Sequence, residues 1–88
     1  MRLLSAEKLA SKYLQKTERV MAELKNPDAA VRPKAESIKA VLDEAKRYLE
    51  DAKYYLDNDK PETSLASVAY CEGLLDALRM LGYVEFTW

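Results

Sequence analysis

The stretch YCEGLLDALRMLG, residues 70–82, sets two acids and an arginine into an apolar run. On a helix, Glu72, Asp76 and Arg79 fall within about 60° of one another. Two carboxylates one turn apart are the chemistry of a hard-cation or polar-ligand site, and Tyr48 or Tyr55 could add a hydroxyl. Such a cation site asks for more oxygen ligands than two. No helix supplies a further pair of acids at the i, i+3 spacing of a helical metal cluster. The residues favour a plainer arrangement, a solvated rim on which Asp76 pairs with Arg79 and Glu72 accepts from a tyrosine of the preceding helix. No catalytic, metal-ligating or cofactor-binding residue is assigned.

A second candidate is the ridge Lys8, Lys12, Lys16 and Arg19, about 16 Å long on one helix face. A row of cations can track a phosphate backbone. No aromatic residue interleaves with it to stack on bases, so a solvated face is the favoured reading over a nucleic-acid accessory. Cys71 has no histidine to activate it and reads as a buried, inert thiol. The tyrosines flank apolar stripes, with rings in the core edge and hydroxyls reaching water. Past Gly82 the tail YVEFTW alternates and would align Val84, Phe86 and Trp88 if extended. It is expected to fold back over the open end of the molecule. Tyr48, Tyr55, Phe86 and Trp88 are the candidate interface residues.

Absences exclude more than the motifs assign. Without histidine there is no Ser-His-Asp triad, histidine-dependent ribonuclease site or imidazole metal ligand. Two separated glycines cannot form a phosphate-cradling loop, and one cysteine cannot build a thiolate zinc site within the chain.

Three elements must position these residues. Ser5 can cap a helix running over about 6–25, up to Asn26-Pro27. Its apolar positions, from Ala6 and Leu9 to Met21 and Leu24, keep the 3–4 spacing of one face. NPDAAVRP is a connector, with Pro33 near the next start. A second helix spans about 34–57, where Ala35, Ile38, Leu42, Ala45, Leu49, Ala52 and Leu56 form a heptad seam. Val41, Tyr48 and Tyr55 widen the seam, while Glu36–Lys39, Asp43–Arg47, Glu50–Lys53 and Lys53–Asp57 lace the opposite face. DNDKPE ends that helix, and a third runs over about 61–81, with Gly82 as its left-handed cap. Ala69, Gly73 and Ala77 make a stripe of small residues through which another helix is expected to approach closely. That places helix three at the centre. Short connectors predict an all-α, up-down-up antiparallel three-helix bundle with a short aromatic C-terminal tail, one domain over 1–88.

At 88 residues, the chain buries only about 60 to 65% of its unfolded surface, so self-association would help it. The net charge of −1 argues for neither nucleic acid nor membrane. Its distribution is uneven: residues 1–34 carry eight cations and four anions, residues 35–88 six and eleven. This suits intramolecular neutralisation or head-to-tail association. The longest uncharged run, 63–71, is too short to span a bilayer, and Glu7 and Lys8 interrupt any signal-peptide core. A cytoplasmic location is expected, consistent with a lone cysteine.

ASVAYCEGLLDALRMLG also resembles the C-terminal signature of domain-of-unknown-function family 357, a small archaeal family. Tyr70, Glu72, Gly73, Leu75, Asp76, Ala77, Leu81 and Gly82 carry the likeness, and AKRYLEDAKYYLDNDKPETSLA extends it upstream. The resemblance implies a helical bundle and supplies no catalytic residue. Together the residues point to a small helical interaction or assembly module without catalysis or cofactor, a homo-oligomer (dimer) or partner-bound. The rivals are a ligand- or metal-binding module or enzyme using Glu72 and Asp76, and a nucleic-acid accessory using the basic ridge.

Overall fold

The computed structural model describes residues 5–28 and 31–88; Ala29 and Ala30 of the connector lie outside the described residues. It contains three helices, α1 (Ala6–Glu23), α2 (Ala35–Asp57) and α3 (Pro61–Met80), and no strand among the described residues. The chain divides into two compact units, Met1–Val31 and Arg32–Trp88.

The first unit is built on α1. The Ser5 hydroxyl oxygen accepts from the Lys8 backbone N–H at 3.1 Å, satisfying one of the donors a helix start leaves open. The helix stops at Glu23, short of Lys25, because Leu24 already turns extended. Leu9, Tyr13, Val20 and Leu24 lie along one side, and no residue of α1 is buried.

The second unit is an antiparallel hairpin of α2 and α3. Its direction follows from contacts at three levels. Ser64 Oγ donates to the Ala52 carbonyl at 2.7 Å. Tyr48 meets Tyr70 with ring centroids 4.4 Å apart, and Leu42 and Ala45 share a groove with Cys71 and Leu75. As α2 runs down in number, α3 runs up. The turn needs three residues, and its chemistry is local. Lys60 N–H donates to the Tyr55 carbonyl and Asp59 N–H to Leu56, with Asp59 at φ 58°. This is the paired closure of a left-handed helix end, here on aspartate rather than glycine. Pro61 then opens α3, where its missing N–H costs nothing. Gly82, at φ 84°, closes α3 the same way: Tyr83 N–H reaches Leu78 and Gly82 N–H reaches Arg79.

The seam is made of small residues at seven-residue spacing. Ala45 and Ala52 on α2 face Ser64 and Cys71 on α3, with Leu78 at the far end, and these five are the buried residues of the hairpin. Small side chains let the two backbones approach closely, which is how the Ser64 hydroxyl reaches a carbonyl of the other helix.

This corrects the expectation for Ala69, Gly73 and Ala77. All three are exposed, and a Cβ added to Gly73 meets nothing within 4 Å. The reason is angular: Gly73 stands about 160° round the helix from Cys71, so the stripe points away from the seam. Within the hairpin α3 is therefore a partner of α2 and not a rod enclosed on all sides. The ion pairs of α2 also differ from the expected set. Lys39 pairs with Asp43 rather than Glu36, and Arg47 takes Glu44 and Asp51 rather than Asp43, while Lys53 pairs with Glu50. Each is exposed and screened by water, so these pairs add little to stability and serve mainly to keep the outer face of α2 polar.

Candidate functional site

Two features could bind something, and both belong to the hairpin. One is a groove of about 110 Å³ along the seam, lined by Leu42, Ala45, Lys46, Leu49, Cys71 and Leu75. Its floor exists because alanine and cysteine hold the helices close, and its walls are leucines the small seam cannot cover. Leu49 remains 39% exposed there. The Cys71 thiol is pushed up from its ordinary pKa, first by burial and then by the nearby Glu72 carboxylate. A thiol held protonated is a poor nucleophile, which matches an inert role.

The other feature is the polar stripe of α3. Asp76 Oδ1 accepts from Arg79 Nη2 at 3.0 Å and Nε at 3.2 Å, and also from Trp88 Nε1 at 3.0 Å. These donors, the indole first, hold the Asp76 carboxyl below its usual range. Arg79 lies 5.7 Å from the Phe86 ring, and Phe86 meets Trp88 edge to face at 4.9 Å. The tail thus folds back and latches on Asp76, a use of that carboxylate which side-chain spacing along α3 could not show.

The expected site residues separate accordingly. Asp76 and Arg79 form the i, i+3 pair, while Glu72 is exposed and enters no ion pair among the described residues. The acids do not converge: Asp76 turns its Oδ1 to the tail, and no group of three or more metal-ligating side chains comes together among the described residues. Of the candidate interface residues, Tyr48 is half-buried against Tyr70 with Arg47 over its ring, and Tyr55 meets Tyr54 edge to face. Phe86 and Trp88 belong to the latch. The basic ridge is exposed but not uniform, since Arg19 pairs with Glu23 and Lys16 lies over the Tyr13 ring. Sequence reasoning missed Ser64 and Lys46. The seven-residue spacing of Ser64, Cys71 and Leu78 was the available signal for the first; nothing local marked the second.

No helix among the described residues is long and apolar enough to cross a membrane. A family model described as a protein of unknown function (DUF357) matches residues 12–84, which takes in the last two thirds of α1, the hairpin and the start of the tail. No curated protein matches the chain. No solved structure matches it either.

Proposed function

The chain belongs to the DUF357 family of proteins of unknown function, and from that premise we propose that it is a small helical interaction module that associates with itself and performs no catalysis of its own. The observation that carries this reading is the amount of apolar side chain each unit leaves in water. An isolated helix of 18 residues is marginal in water, yet α1 buries none of its residues. The hairpin core rests on Ala45, Ala52, Cys71 and Leu78, while Leu56, Leu65, Met80 and Leu81 are exposed. Large apolar side chains left exposed in this number point to a contact site, and a core this small needs added burial.

The carboxylate alternative has less support because Asp76 is engaged by two donors, and a hard cation wants more oxygens than Glu72 could add. Sedimentation from micromolar to millimolar concentration tests the proposal: the mass should rise with concentration. A monomer throughout would remove the reading.

A further inference from the structure

We propose that the hairpin groove receives α1 of a second copy, reciprocally, so that two chains exchange their first helices; this rests on the self-association just proposed. The groove and α1 are complementary in apolar character and charge. On the groove side, Lys46 lines the α2 wall, and Glu72 stands on α3 just beyond the lining, about 60° outward of Leu75 and away from Tyr70. Neither enters an ion pair among the described residues. On α1, the apolar side bearing Leu9, Ala10, Tyr13, Leu14, Val20 and Met21 has Lys12 and Lys16 along one edge and Glu7 and Glu18 along the other.

Charge fixes the direction in which such a helix lies. An α1 laid in the groove parallel to α3 brings its lysine edge to Glu72 and its glutamate edge to Lys46. The reverse direction would set Glu18 beside Glu72 and lysine beside Lys46, and like charges across a contact are strongly disfavoured. Levels agree too: Lys16 and Glu18 are about 3 Å apart along the α1 axis, and Lys46 and Glu72 flank the same stretch of groove, each next in sequence to a facing seam residue, Ala45 or Cys71. The eleven residues from Leu24 to Lys34 can span about 36 Å, enough to hand a helix to a neighbouring molecule. A second copy satisfies both surfaces at once, and reciprocity closes the assembly as a dimer.

Charge-reversed chains test this. One carries Lys16→Glu with Glu18→Lys; the other carries Lys46→Glu with Glu72→Lys. Each alone should associate about tenfold more weakly than the parent chain. Mixed in equal amounts they should recover the parent affinity as a heterodimer, because both exchanged contacts then pair opposite charges. Far-UV circular dichroism establishes that each is folded; if a double variant is not, the single variants Glu18→Lys and Lys46→Glu are mixed in the same way. Variants that each keep the parent affinity, or a mixture that recovers nothing, would overturn the exchange while leaving self-association standing. A parent chain monomeric at every concentration would remove both.

Discussion

Replacing Gly73 with alanine probes which side of α3 faces its partner. A glycine inside a helix is about 0.8–1.0 kcal/mol less favourable than alanine, because the unfolded glycine has more conformations to lose. Nothing in the structure opposes the exchange, since a Cβ at residue 73 finds no atom within 4 Å. Gly73→Ala should therefore stabilise the hairpin by about 1 kcal/mol, raising the melting temperature by roughly 4–8 °C for a domain of this size. The control sits on the opposite side of the packing. Ala45 is 2% exposed and faces α3, so Ala45→Leu forces extra volume into a filled seam and should cost about 1–3 kcal/mol. Thermal and urea unfolding followed by far-UV circular dichroism, at one fixed concentration because association shifts apparent stability, measures both. A Gly73→Ala chain that melts several degrees lower would refute the reasoning. It would mean that a helix backbone lies against the Ala69–Gly73–Ala77 stripe and that the seam is wrongly assigned.

Further outcomes follow from the caps and the latch. The Asp76 carboxyl is depressed in the folded chain by Trp88 and Arg79, so its contribution is complete above the ordinary aspartate value of about 3.9. It is lost only as pH falls through the lower folded value. Fluorescence of Trp88, the one tryptophan, should report release of the tail with a midpoint below about 3.9; a midpoint above it, or no change in Asp76→Asn, would dispose of the latch. Asp59 holds a left-handed conformation at φ 58°, so Asp59→Gly should stabilise by about 0.5–1 kcal/mol in urea titrations. A loss of stability instead would show that the aspartate side chain contributes something beyond the turn. Cys71, buried and raised in pKa, should react with a thiol reagent far more slowly than in the urea-unfolded chain. Reaction at the unfolded rate would place it outside the seam.

The sequence by itself determined the elements. Seven-residue spacing, Ser5, Pro61 and Gly82 set where helices begin and end to within two residues, because caps and turns are satisfied by groups a few residues away. The Asp76–Arg79 pair was legible for the same reason, as were the core roles of Ala45 and Ala52. What the tertiary structure decided was which face of α3 meets α2. That helix is apolar nearly all round, so its pattern offers two plausible small-residue stripes: Ala69, Gly73 and Ala77, or Ser64 and Cys71. Only the partner helix, by placing the Ala52 carbonyl within reach of the Ser64 hydroxyl, selects between them. The tail is the second such case. Trp88 lies twelve residues from Asp76, beyond any helical periodicity, and the contact exists only because the Gly82 turn sends the chain back along α3.

Folding rests on one physical condition, that the two long helices touch through their smallest side chains and leave a leucine-walled trough beside the line of contact. Should an experiment find bulk tolerated at residue 45 but not at residue 73, that geometry would have to be abandoned, and the trough with it.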